Sequence, residues 1–359
     1  MSKIAVIGII GNSVFLPVEK FHTGGETVEA TSIHFEPGGK GFNQAVAAAR
    51  CGAQVSFLAA IGKEHRKEFS DFLDSEGINN RLIYKNGSTA FASIVTDSLG
   101  SNRVTVYQGV QLSALDVRCF EKEINEADIL LLNNEVPEEV NEAAIRIAKQ
   151  HGVKCILNPA PARPTNKLII ENIDIFTPNE YETLGIEDDN RVIMTMGKQG
   201  CYIRSTDEMI PAFSFGDAID TTGAGDTFNG VLSAMLAEGR EKYFAASFAN
   251  RVAALSVTQK YAVSSIPKAE KIAHMPFFKI SACSPAHEMV DDLCPSTHTE
   301  HRQRVLCSPG KEHLFRHIPL REDAPIITTG QEQTCNGEMP QQIKSLLPCI
   351  GYRQNRDTR

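Results

Sequence analysis

Short apolar runs alternate with helix-length segments along most of this chain, and that rhythm restricts the fold more than any other feature. KIAVIGII (3–10), QVSFLAAI (54–61), DILLL (128–132), VKCIL (153–157) and IDIF (173–176) are nearly continuous in apolar character. A strand reads this way when helices cover the sheet on both faces. Helical segments are predicted at about 43–52, 65–77, 137–151, 224–238 and 241–259. This order implies a parallel α/β sheet, and open sheets of that kind bind ligands at the carboxyl ends of their strands. Four segments, 24–37, 81–84, 89–96 and 103–107, are rich in Val, Ile, Thr and Tyr and stand outside the rhythm. They predict a small accessory β-sheet, with SLGSN (98–102) as a hairpin turn.

Chemistry concentrates in DTTGAGDTFNG, Asp220 to Gly230. Gly223 and Gly225 allow a tight turn and close approach of a ligand. A helix starting near Ala224 points its first free N–H groups at whatever sits above it, an anion site that needs no lysine. Asp226 falls in the first turn of that helix. The element therefore offers a place for developing negative charge with a base beside it, the pairing that phosphoryl transfer to an alcohol requires. A glycine-rich turn capping a core helix would satisfy a bare GxG. The eleven-residue string with a second acid at Asp220 is more specific.

A second glycine-rich stretch, GGKGFNQAVAAARCG, surrounds Lys40 and opens a helix at Asn43. Spacing alone leaves two readings open. Lys40 and Asn43 bind a polyhydroxylated ligand, or the glycines serve helix–sheet packing and the lysine is solvated. The stretch is not a Walker A loop, because no GK[ST] ends it. Glu135, Asn158 and Asn179 each lie just past a predicted strand end, where each could equally cap a helix. Asn179 and Glu182 sit three apart at a predicted helix start, on one face.

The net charge of −8 argues against a nucleic-acid surface. No apolar run reaches a membrane span, and the N-terminus lacks a signal-peptide pattern. Cys51, Cys119, Cys155 and Cys201 read as reduced thiols of a cytoplasmic protein.

These motifs resemble the ribokinase-like (PfkB) carbohydrate kinase family over roughly residues 3–267. GGKGFNQAVAAARCG and DTTGAGDTFNG match its two signatures, and NPAPAR (158–163), TPNE (177–180) and MGKQG (196–200) add to them. The resemblance implies a three-layer α/β/α fold with a mostly parallel central sheet and a small β-sheet lid, its strands within about 12–40 and 81–110. It implies ATP and Mg²⁺, transfer of the γ-phosphoryl group to a sugar hydroxyl with D-ribose the first expectation, and a homodimer joined through the lid. Asp226 matches the catalytic base, and the Gly223, Ala224 and Gly225 amides match the anion hole. Ser13, Gly39, Lys40, Asn43 and Glu135, together with Asp226, fall at sugar positions. Asn179, Thr195, Gly197, Gly225 and Asn250 fall at nucleotide positions, and Glu182 at the Mg²⁺-associated acid. Asp220, Thr222, Ser256, Gln259, Tyr261 and Ser265 fall where an activating K⁺ binds. A nucleoside, furanose or hexose kinase, and an impaired sugar-binding regulator, are the rival readings.

Three departures stand out. Ser13 replaces an Asp that grips sugar hydroxyls in the family pattern. Only 17 residues separate Asn179 from Gly197, where the family usually places an extra helix. Tyr261 stands where the K⁺ loop expects glycine. The likeness stops near Pro267. Residues 268–359 hold five of the nine cysteines and six of the ten histidines, at irregular spacings and without a CxxC pair. They read as a disordered or loosely packed tail.

Overall fold

The computed structural model describes residues 1–98 and 101–275, and the expectations for the tail cysteines and for Leu99 and Gly100 lie outside the described residues. Six parallel strands form the main sheet, in the order β10-β9-β8-β1-β4-β5. They are β1 (Lys3–Ile7), β4 (Gln54–Gly62), β5 (Asn79–Lys85), β8 (Ile129–Asn133), β9 (Lys154–Asn158) and β10 (Ile175–Phe176). Side chains alternate across it as the pleat requires. Ile4 and Val6 point into one core, with α1 (Lys40–Arg50), α2 (Arg66–Ser75), α6 (Ala224–Ala237) and α7 (Lys242–Ser256). Ala5 and Ile7 point into the other, with α3 (Glu121–Asn125), α4 (Glu138–Gln150) and α5 (Lys167–Asn172). Both faces are buried, which is why these strands read as continuous apolar runs. The three-layer α/β/α expectation holds.

The lid is a four-stranded sheet, β3-β2-β6-β7, made of β2 (Gly11–Pro17), β3 (His34–Gly38), β6 (Ala90–Thr96) and β7 (Asn102–Tyr107). Cross-strand register places Ser13 opposite Glu36 and Phe15 opposite His34 on one face. Phe35, Phe91 and Tyr107 share the other face and are 63%, 41% and 58% exposed.

Three local expectations change. Residues 81–84 are not a lid strand: they belong to β5, which pairs in parallel with β4 after the α2 crossover. α1 starts at Lys40 rather than Asn43, because Gly39 at φ 116° makes the reversal that lets the next residue enter the helix. The helix expected from Asn179 does not form. Residues 180–191 are turns, and the chain passes directly into β11 (Ile193–Thr195), β12 (Cys201–Ile203) and β13 (Glu208–Ile210). Single bridges from Phe176 to Val192 and from Asn179 to Thr195 join this antiparallel sheet to β10.

Candidate active site

Gly8 follows β1, and the start of α1 crosses it with almost no clearance. A Cβ on Gly8 would lie 2.6 Å from Gly41 Cα, so neither position admits a side chain. This contact lets α1 lay Lys40, Asn43 and Gln44 over the carboxyl ends of β1, β8 and β9. α6 approaches from beyond α1, with Gly230 against the Gln44 carbonyl, where an added Cβ would meet the oxygen at 2.3 Å. The two helices together bury Asp226, which keeps 6% of its surface.

The Asp226 carboxylate accepts from Asn43 Nδ2 at 2.9 Å and from Gln44 Nε2 at 3.2 Å. Gln44 Nε2 also reaches Asn158 Oδ1 at 3.2 Å, and Asn158 in turn donates to the Thr177 carbonyl at 2.8 Å. Gln44 lies in an alanine-rich helix and carried no sequence signal as a site residue. The spare oxygens, Asn43 Oδ1 and Gln44 Oε1, are buried without a partner among the described residues. Burial raises the Asp226 carboxyl above its ordinary range, against the pull of the Lys40 ammonium and the two amide donors. A raised carboxyl is a better proton acceptor near neutral pH.

Lys40 is the positive centre. Asp226 above all, then Glu135 and Glu182, raise its ammonium against the effect of burial. Its backbone N–H donates to Glu135 Oε2 at 2.7 Å, and Asn133 Oδ1 accepts from the Glu135 amide at 3.0 Å. Burial pushes Glu135 up to about 7, with Asp226 adding repulsion and Lys40 opposing it. A carboxyl raised in the folded state favours folding only while protonated. Its ionisation costs stability from the ordinary carboxylate range up to about pH 7, and the whole cost remains above that. Glu135→Gln should therefore raise the melting temperature more at pH 8 than at pH 5. Equal shifts at both pH values would exclude this electrostatic strain.

The turn at the start of α6 is built as expected, with one change. Gly223 adopts φ 78° as the N-cap. The Ala224 amide is already donated to the Thr221 carbonyl at 3.2 Å, so it is not a free donor. The amides of Gly223, Gly225 and Asp226 have no partner among the described residues. A Cβ on Gly225 would meet nothing within 4 Å, so this side of the turn faces open space. Free amides, open space and a buried carboxyl lie together at one helix end.

Three comparisons bear on the arrangement. The model of the pfkB family carbohydrate kinases matches residues 1–269. The chain belongs to the pfkB family of carbohydrate kinases. It is 34% identical over 294 residues to the ribokinase of Bacillus subtilis (strain 168), covering 77% of this chain and 99% of that one. The solved ribokinase of Giardia lamblia superposes with a TM-score of 0.68 at 27% identity, covering 76% of this chain and 97% of that one. An Arabidopsis thaliana ribokinase complexed with ribose and ATP superposes with a TM-score of 0.65 at 25% identity, covering 76% and 98%.

The remaining candidate residues of the kinase fall into two groups. On the β10–β11 side, Asn179 and Glu182 form a closed turn. Glu182 Oε2 accepts from the Asn179 amide at 3.0 Å and Asn179 Oδ1 accepts from the Tyr181 amide at 2.8 Å. Thr195 is tied through its amide to the Pro178 carbonyl at 2.9 Å, and Gly197 follows at φ 52°. Asn250 sits apart on α7, where Nδ2 donates to the Pro211 carbonyl at 3.0 Å.

The second group surrounds the loop after α7. Asp220 accepts from the amides of Thr222 at 2.9 Å and Tyr261 at 2.8 Å. Tyr261 adopts φ 75°, the left-handed conformation a glycine would take with less strain. The Ser256 and Ser265 hydroxyls donate to the carbonyls of Ala253 and Ala262, both at 2.8 Å. The carbonyls of Gln259, Tyr261 and Ser265 accept no hydrogen bond among the described residues. A large monovalent cation fits such donors. Glu182 Oε1 is likewise unpartnered among the described residues, and no cluster of three His, Cys, Asp or Glu that could hold a metal occurs among them. A Mg²⁺ ion here would draw most of its ligands from phosphate and water, which suits that ion.

Proposed function

We propose that this kinase transfers the γ-phosphoryl group of ATP to a hydroxyl of D-ribose, giving ribose 5-phosphate and ADP. The observation that carries the reading is the buried Asp226 carboxylate beside free amides and Lys40. Asp226 takes the proton of the attacking hydroxyl. The amides of Gly223, Gly225 and Asp226, with the Lys40 ammonium, carry charge that builds on the moving phosphoryl group. Gly39, Lys40, Asn43 and Glu135 line the sugar side, and the unpartnered Asn43 oxygen suits a sugar hydroxyl. Asn179, Thr195, Gly197, Gly225 and Asn250 line the nucleotide side. Mg²⁺, associated with Glu182, would neutralise phosphate charge when bound, and K⁺ would sit on the carbonyls of Gln259, Tyr261 and Ser265 near Asp220.

We place the kinase domain at residues 1–267, and extend it to the short helix Ala269–Ala273, which the sequence reads as part of the loose tail, because Ile272 and Met275 are buried in the core. The exposed aromatic face of the lid suits pairing with a second copy. Free thiols at Cys51, Cys119, Cys155 and Cys201 suit the cytoplasm, and no helix among the described residues is long and apolar enough to cross a membrane.

ADP formation with a panel of pentoses, hexoses and nucleosides tests the reading. Ribose should give the highest kcat/KM, with the phosphate on its primary hydroxyl. A nucleoside or hexose preferred over ribose would overturn it. Ser13 offers a second test. A carboxylate grips a sugar hydroxyl through a charge-assisted bond about twice as strong as a neutral one. Ser13→Asp should lower KM for ribose, and a weakened affinity for every acceptor would mean that the pocket serves another sugar.

A further inference from the structure

The loop 261–266 is held by charged side chains from three separate elements. From the lid, Glu36 Oε1 accepts from the amides of Ala262 at 2.8 Å and Val263 at 3.0 Å. Glu36 Oε2 accepts from the Ser264 amide at 3.1 Å and from its hydroxyl at 2.5 Å. From the α6 side, Asp220 takes the Tyr261 amide at 2.8 Å. Four successive amides are thus given to two carboxylates, an anion-accepting concavity filled from within the chain. From α1, Arg50 Nη1 donates to the carbonyls of Val263 at 3.0 Å and Ile266 at 2.6 Å.

The inner lid face sits on the same loop. Phe15 and Ile94 pack with Ala262, and the Tyr261 ring stacks on His34 at 3.7 Å with the Phe15 ring edge-on at 5.1 Å. The loop abuts the anion-binding turn, because a Cβ on Gly223 would lie 3.2 Å from Ala262 Cα. Glu36 is the cross-strand partner of Ser13, so the strand pair that carries Ser13 also fastens the loop behind the turn.

We propose that Glu36 is a positioning residue: it locks lid strand β3 to loop 262–264 and thereby seats the lid over the anion-binding turn. Its carboxylate is taken up by three amides and the Ser264 hydroxyl, with the His34 ring nitrogen at 3.5 Å, and does not grip the sugar. Losing the lock lets the lid ride loose, admits water to the phosphoryl group and lets the Gly223 turn drift. The inference rests on the kinase reading but not on ribose as the acceptor.

The test uses the full chain with its best acceptor from the panel, and compares ADP formed with sugar phosphate formed. In Glu36→Gln one face of the amide presents N–H to the Ser264 donors, so that end of the lock opens while the side-chain volume is kept. Wild type should give a ratio near one. Glu36→Gln should give a ratio several-fold higher, with kcat for sugar down about tenfold or more and little change in KM for ATP. Glu36→Asp keeps the charge but lacks the reach, and should behave alike. Ser264→Ala removes one donor and should move the ratio the same way by less. A ratio that stays near one in all three variants overturns the proposal. So does a Glu36→Gln chain that fails to fold while Ser264→Ala keeps the wild-type ratio, since Glu36 would then serve only stability. If wild type prefers another sugar, the ribose reading fails while this comparison stands.

Discussion

Asp226→Asn should lower turnover by about two to four orders of magnitude, the scale for losing a general base, and leave the fold intact. The surroundings explain why folding survives. Asn43 Nδ2 and Gln44 Nε2 both donate to Asp226, and an asparagine there would turn an NH₂ toward one of them. Gln44 is held in place by its second bond to Asn158, but Asn43 has a spare oxygen without a hydrogen bond, so its amide can rotate and offer an acceptor instead. Melting temperature and ATP affinity should therefore stay near wild type while sugar phosphate formation collapses. Turnover within tenfold of wild type would remove Asp226 from the role of base.

Lys40→Met should cost about two to three orders of magnitude, the scale of losing one charge-stabilising donor at a transition state. Methionine matches the stem in length, so packing against the glycine loop changes little. The ammonium is what disappears, and it is the group that offsets Asp226, Glu135 and Glu182. Without it the carboxyls of Asp226 and Glu135, already raised, rise further, and the ground state gains net negative charge where phosphates must dock. Steady-state kinetics should show kcat falling with KM for ATP rising. Retention of more than a tenth of wild-type kcat would place the charge-carrying role on the backbone amides alone.

The position of Asp226 and the shape of its turn were legible because they are local. Gly223 and Asp226 lie in one string whose backbone geometry is dictated by its own residues, and the strand runs of the main sheet announce burial on both faces. For the α1 glycines, helix–sheet packing was one of two open readings, and the contact of Gly41 with Gly8 is such packing, although the helix begins three residues earlier than Asn43. What stayed hidden depends on distant partners. Glu36 lies in a polar stretch and reads as an exposed strand residue, yet its partners are more than 220 positions away. Gln44 reads as one polar residue in a helix of alanines, until α6 brings Asp226 against it. Residues 81–84 alternate like a lid strand and join the main sheet because the α2 crossover returns them in parallel. Asn179 and Glu182 carry a helix-start spacing, but the chain turns instead, with Gly185 in the left-handed region at φ 81°, and reaches β11 without a helix.

The meeting of Gly8 and Gly41 leaves the floor of the proposed acceptor site no freedom to vary. With a Cβ at either position pressing on the backbone of the other, natural or laboratory selection cannot reshape the proposed acceptor site from below. The roof is different. Strands β2 and β3 pair through backbone groups, so the side chain at Ser13 can change without undoing the sheet that carries it. New acceptor preferences in this scaffold should accordingly arise through substitutions on the lid, with the helices beneath passed on unaltered.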